Sequence, residues 1–174
     1  MRMKNSSQVL ILDYPGLTKI VSGGQVGADI GALHAARALS IKTGGWAPRG
    51  WRTALGPNPG LAEFGLQEHF RTEYKFRTEK NVEDSDGTLI VASDVSSPGT
   101  SLTISSCYKL KKPFYILRPS EISTESVDAV VSWIKSYCIC VLNVAGNRDR
   151  MLLGVHYNAA LKAVSGIITR LSSE

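Results

Sequence analysis

Three short glycine-bearing runs stand where an apolar stretch gives way to a helical pattern: Ser22-Gly23-Gly24-Gln25-Val26-Gly27, Pro98-Gly99-Thr100 and Asn143-Val144-Ala145-Gly146. Glycine lets main-chain N–H groups turn toward an anion, and a following helix adds the positive end of its dipole. The chemistry on offer is capture of a phosphate or another oxyanion. In the first run Ser22 and Gln25 add side-chain hydrogen bonds, and a side chain at Gly24 is expected to block the ligand. Asp29, in the turn that follows, either binds a ribose hydroxyl or caps free N–H groups. Gly24 and Gly27 do not complete a G-x-G-x-x-G and no Gly-Lys-Ser/Thr follows, which argues against a Walker-type nucleoside triphosphatase. The competing reading is that the glycines only make tight strand-to-helix turns.

A second group of polar residues precedes Asp84-Ser85-Asp86-Gly87. Arg77 is suited to clamping a phosphate with two parallel hydrogen bonds, and Asn81 to reading a base or sugar edge. Alternatively Asn81 and Asp84 cap a helix and Arg77 pairs with a neighbouring acid. Trp46, with Arg49 three residues on, offers an aromatic platform beside a cation, although a tryptophan ending a strand is more often core. Thr100 and Thr103, after Gly99, complete the candidate ligand set with Asn143 and Gly146. No catalytic set stands out: His34, His69 and His156 have no Ser or Cys partner at suggestive spacing, and His34 and His156 read as surface or packing residues. The three cysteines, Cys107, Cys138 and Cys140, do not form a metal-ligand pattern.

These residues need elements to hold them. Lys19 to Val21 ends an apolar strand, and residues 28–39 carry an alanine-rich helical face with Ile30, Leu33, Ala36 and Leu39. Ile41 to Trp46 reads as a second strand, and Pro48 to Arg71 as a long loop with a short helical piece from Leu61. A short helix over Asn81 to Ser85 precedes a strand over Thr88 to Ala92. A helix over Ser101 to Lys111 is cut by Pro113 before the strand Phe114 to Leu117. Ser123 is the N-cap expected of a helix to about Lys135. Cys138 to Leu142 reads as a buried strand with both cysteines on one face, and Leu153, Tyr157, Leu161, Val164, Ile168 and Leu171 form the stripe of a last helix. Strands apolar on both faces, separated by helices, predict an α/β fold: a Rossmann-like, doubly wound, mainly parallel sheet with helices on both faces. One domain over 1–174 is expected, with 1–16 either an edge strand at Val9 to Leu12 or a flexible extension.

Bulk properties narrow the function. A net charge of +5 is dispersed rather than gathered in a patch, which argues against a nucleic-acid surface and suits a small anionic ligand. The sequence shows neither a signal peptide nor a membrane span, so the expected location is the cytoplasm. The last helix carries Met151, Leu152, Val155, Ala163 and Ile167 beside its main stripe, an arc wide enough to predict a homodimer or higher homo-oligomer.

The ordered segments together resemble the molybdenum carrier family, a circularly permuted branch of the nucleotide-binding superfamily that also holds the lysine-decarboxylase-like, cytokinin-activating proteins. The resemblance runs from Lys19 to about Tyr157. It rests on Ser22-Gly23-Gly24-Gln25 with Gly27 and Asp29, Gly44-Gly45-Trp46 with Pro48 and Gly50, and Arg77-Thr78 with Asn81-Val82. It continues through Ser85-Asp86-Gly87-Thr88-Leu89, Gly99-Thr100 with Leu102-Thr103, and Leu142 to Gly146 with Arg148. The chain departs from the family pattern at Val26, where threonine is favoured, and at Ala54-Leu55-Gly56, where an acid is favoured. Pro98 stands in place of a second glycine, and Asn147 in place of proline. The resemblance implies a nucleotide-binding fold and carriage of molybdate or the phosphate-bearing molybdenum cofactor. In the cytokinin-activating relatives a glutamate follows the Gly-Thr motif, whereas here Ser101-Leu102-Thr103 follows. That difference favours a binding or carrier protein over a nucleotide N-glycosidase, in which Arg77 would position phosphate and Asp29 or Asp86 assist water. A ligand-sensing domain acting through oligomerisation is the third expectation.

Overall fold

The computed structural model describes residues 14–173. The expected edge strand at Val9 to Leu12 lies outside the described residues. Six strands form one sheet: β1 (Lys19–Val21), β2 (Lys42–Ala47), β5 (Leu66–Glu68), β6 (Gly87–Val91), β7 (Phe114–Leu117) and β8 (Val141–Gly146), in the order β5-β2-β1-β8-β6-β7. Every pairing within it is parallel. The helices are α1 (Ala28–Ala38), α2 (Tyr74–Glu83), α3 (Pro98–Leu110), α4 (Thr124–Ser136) and α5 (Val155–Ser172). Helices α1, α4 and α5 pack together on one face of the sheet, and α2 packs against α3 on the other. This is the Rossmann-like α/β architecture expected from the alternation of apolar strands and helices.

Burial explains the order. Every residue of β6 is buried, as a central strand covered on both faces requires. The larger apolar cluster joins Ile20, Leu89, Val91, Leu142 and Val144 of the sheet to Ala32, Val130, Ile134, Val164 and Ile167 of the covering helices. A smaller cluster, including Leu33, Leu61, Leu66 and Tyr157, closes the β5 end. Helix α4 starts at the expected cap: Ser123 Oγ accepts the Ser126 N–H, and Ser126 Oγ accepts the Ser123 N–H in return.

Several boundaries differ from expectation, each for a local reason. The last strand starts at Val141, not Cys138. Cys138 takes a left-handed φ of 50° and closes α4 with its N–H on the Lys135 carbonyl, while the Asp86 carboxylate accepts the N–H groups of Cys140 and Val141. Cys138 and Cys140 are therefore partly exposed turn residues rather than one face of a strand. Asn143 to Gly146, expected as a loop, lie within β8.

Residues 48–71 are more ordered than a loop. They hold a small antiparallel pair, β3 (Arg52–Thr53) with β4 (Gly56–Pro57), a 3-10 turn over Pro59–Phe64, and β5 at the sheet edge. Helix α2 begins at Tyr74 rather than Asn81, and α3 at Pro98, whose missing N–H suits a first helical position. Leu153 precedes α5 and is exposed, and Leu161 and Leu171 are only partly buried. Ala163 and Ile167 are fully buried within the chain, so the apolar arc of α5 is largely used internally; Met151, Leu152, Leu153 and Val155 remain exposed.

Candidate functional site

The chain winds outward from β1 through β2 to β5 on one side and from β6 to β7 on the other, and β8 fills the gap between the two halves. Crevices at the carboxyl ends of strands beside such a reversal are where ligands bind in open α/β sheets. A cleft of ≈ 530 Å³ lies there. Its floor is Ala145 and Gly146 at the end of β8 with Asn147 and Arg148 after it, and one wall is Tyr74, Arg77 and Thr78 of α2. Ser93, Asp94 and Ser97, the first turn of α3, Gln25 and Asp29 of the β1–α1 segment, and His156 complete it.

At the start of α3, Pro98 has no N–H, the Ser101 N–H bonds back to the Ser97 carbonyl, and no side chain caps the helix. The N–H groups of Gly99 and Thr100 thus take no partner among the described residues, and the space beside the Gly99 Cα is open. Asn147 fixes this turn. Its side-chain N–H₂ donates to the Asp94 carbonyl at 2.8 Å and lies 2.9 Å from both Ser97 Oγ and Thr100 Oγ1, while its Oδ1 accepts the Asp94 N–H. Asp94 Oδ1 accepts from the Ser96 N–H and hydroxyl, and these bonds hold its carboxyl below the usual range.

The first glycine run holds an anion of the protein's own. Asp29, 4% exposed, accepts the Gln25 N–H and pairs with Arg77 Nη1 at 3.4 Å. Burial pushes the Asp29 carboxyl above its ordinary value, while Arg77 and the N–H groups of Gln25 and Gly23 pull it back. Arg77 in turn fits because residue 23 is glycine: a Cβ there would stand 1.6 Å from Nη1. Its guanidinium lies over the Tyr74 ring, and its enclosed Nε makes no hydrogen bond among the described residues.

Of the residues singled out from sequence, Gln25, Asp29, Arg77, Gly99, Thr100, Thr103 and Gly146 line the cleft. Ser22, Gly23, Gly24, Gly27, Trp46, Arg49, Asn81 and Asn143 are not among its lining residues. Ser22 Oγ donates to the Val144 carbonyl, and Asn143 Nδ2 donates to Thr88 Oγ1 inside the sheet. Asn81 accepts the Trp46 N–H and donates to the Trp46 carbonyl, docking α2 onto β2, while the Trp46 indole donates to Asp84. Arg49 is exposed. Gly27 lets the β8–α5 connection pass close: a Cβ there would meet Asn147 O at 2.5 Å. Gly24 has φ +71°, and a Cβ on it would meet Leu61 and Leu66 of the smaller core cluster. A side chain at Gly24 therefore disturbs packing of the smaller core cluster. Asp86 sits at the opposite, amino end of β6, too remote to assist water in the cleft.

Tyr74, Ser93, Asp94, Asn147 and Arg148, none of them among the expected ligand residues, also line the cleft, as does His156, which the sequence suggests as a surface or packing residue. Ser96 and Ser97 directly before Pro98 were the available signal, since short hydroxyl and acid residues order the turn that begins a helix. No group of His, Cys, Asp and Glu among the described residues has the arrangement of a metal site.

A parallel doubly wound sheet with a cleft at its switch point defines a Rossmann-like α/β protein. Residues 20–165 match the circularly permutated YpsA SLOG family, and the chain belongs to that family. It is similar to the crystal structure of Putative molybdenum carrier protein from Syntrophus aciditrophicus SB, with 38% identity and a TM-score of 0.79 over 88% of this chain and 96% of that one. No curated protein matches it.

Proposed function

We propose that the protein binds and carries a small phosphate-bearing or oxyanionic ligand in this cleft, of the class of a nucleotide-like molecule, molybdate or the molybdenum cofactor. The observation that carries the reading is the pair of unbonded N–H groups at Gly99 and Thr100, two residues that line the cleft together with Arg77 and Arg148. A helix start with open amides favours negative charge, and arginine adds directed donors. The likeness to a molybdenum carrier supports an oxyanion as cargo. Hydrolysis of a nucleotide is disfavoured, because Asp29 is engaged by Arg77 and Asp86 lies at the far end of the sheet.

A ligand held only by the folded state stabilises it by about 2.7 kcal/mol at a hundredfold excess over its Kd. For a domain of this size that raises the Tm by about 5–10 °C. Nucleoside mono- and diphosphates, nucleotide sugars, molybdate and molybdenum cofactor, compared at fixed ionic strength, are expected to separate into one strong stabiliser and a uniform background. Arg148→Ala, at an exposed position, should shrink the selective shift and leave the unliganded Tm in place. A uniform response across the panel would remove the anion reading.

Self-association belongs to the same reading. Among the described residues no helix is long and apolar enough to cross a membrane, and Met151, Leu152, Leu153 and Val155 form an exposed apolar group. Light scattering at micromolar concentration is expected to give a dimer mass; a monomer mass would exclude it. The three free thiols fit a reducing cytoplasm.

A further inference from the structure

His156, in the first turn of α5, stands between a carboxylate and a hydroxyl. Its Nδ1 lies 2.8 Å from Asp149 Oδ1, and its Nε2 lies 3.0 Å from Ser93 Oγ. Asp149 is buried in the β8–α5 connection, where Oδ1 also accepts the His156 N–H and Oδ2 accepts the Tyr157 N–H. The chain is shaped around this carboxylate: a Cβ on Gly154 would come within 2.3 Å of Asp149 Cγ. A carboxylate only accepts hydrogen bonds, so the imidazole proton sits on Nδ1 and the Nε2 lone pair faces the serine hydroxyl. Nucleophile, base and orienting acid are thus in hydrogen-bond sequence, the arrangement by which a serine is activated. Ser93 and His156 both line the cleft, so the pair faces the space in which a bound ester would lie.

We infer that Ser93 is a nucleophile for acyl transfer, acting on carboxylic esters whose remaining part carries a phosphate or similar anion. The anionic part of the substrate rests on the ligand reading above; the acyl chemistry does not. Ser93 Oγ attacks the ester carbonyl carbon as its proton passes to His156 Nε2. The bond from carbonyl carbon to alcohol oxygen then breaks, and the alcohol leaves with that proton. Water attacks the acyl-serine by the same route, releasing the carboxylic acid and restoring Ser93. Asp149 is a positioning residue that holds the imidazole.

The test uses two uncharged probes on the full chain, a fluorophosphonate and p-nitrophenyl acetate, so that it does not depend on the anion site. The fluorophosphonate is expected to modify Ser93, located by peptide mass spectrometry, and Ser93→Ala should lose both the label and ester hydrolysis above background. His156→Ala should slow labelling by at least about a hundredfold, the usual worth of a positioned base. Asp149→Asn keeps an oxygen acceptor for only one of the two α5 N–H groups, so it is expected to lower the unfolding midpoint and, assayed well below that midpoint, to slow labelling at Ser93. An unmodified Ser93 in the native chain, or labelling equally fast in His156→Ala, overturns the inference. If that result accompanies a selective ligand-induced Tm shift, acyl transfer fails while the carrier reading stands.

Discussion

Arg77→Met is expected to lose about 3–5 kcal/mol of stability at neutral pH, the range found when one partner of a buried ion pair is removed. Asp29 and Arg77 have side chains only 5% and 12% exposed, so water cannot replace the missing guanidinium. The loss should also depend on pH in a defined sense. Burial already pushes the Asp29 carboxyl up, and taking away Arg77 removes the first of the influences that lower it. A carboxyl whose folded value is raised favours the folded state below the unfolded value of about 3.9 and forfeits that advantage as pH climbs through the folded value. The deficit of the variant should therefore be small in acid and grow with rising pH. Denaturant titrations of both proteins across that range check it. Adding Asp29→Asn to the variant should recover much of the stability and flatten the pH dependence. A deficit independent of pH would mean that Arg77 contributes packing rather than charge.

Gly146→Ala is expected to cost about 3 kcal/mol, at the upper end of overpacking effects. A Cβ at this position in β8 would stand 1.9 Å from the Val91 carbonyl oxygen and 2.9 Å from Ala28 Cβ. Neither neighbour can rotate away: one is the backbone of the paired strand, and the other belongs to the fully buried start of α1. The strain falls on the floor of the cleft, so ligand binding should weaken with stability. Gly99→Ala supplies the contrast. Nothing lies within 4 Å of its added methyl, and alanine is the better helix former, so a neutral or slightly stabilising change is expected. Denaturation midpoints of the two variants provide the measurement; similar losses in both would contradict this account.

Much of the fold was legible because it is local. Ile20 and Val21, the alanines of α1, the apolar run Leu89-Ile90-Val91 of β6 and the serine cap of α4 all announce their state within a few residues. The exceptions were set by distant partners. Helix α2 buries only Thr78, Asn81 and Val82, so its polar sequence has no strong stripe. Strand β5 is a three-residue edge whose state comes from pairing with β2. The start of β8 depends on Asp86, 54 residues away from Cys140, while Cys138 to Leu142 reads as uninterruptedly apolar. The candidate site was legible at α3 and at Asp29 with Arg77. Asn81, Asn143 and Ser22 lie outside the cleft lining, as polar side chains that hydrogen-bond within the scaffold and carry no sequence mark to say so. The contact of His156 with Ser93 spans 63 residues, beyond any spacing rule.

Placing β8 between β1 and β6 has a consequence for how the molecule comes into being on the ribosome. Until residue 146 has been made, the chain holds two separate half-sheets, β5-β2-β1 and β6-β7, each with an uncovered inner edge. Bare strand edges invite pairing with other chains, and such species are the ones that aggregate during folding. The late strand closes both edges in one event. It also brings Gly146, Asn147 and Arg148 to the cleft, so the nascent chain gains its completed sheet and its cleft together.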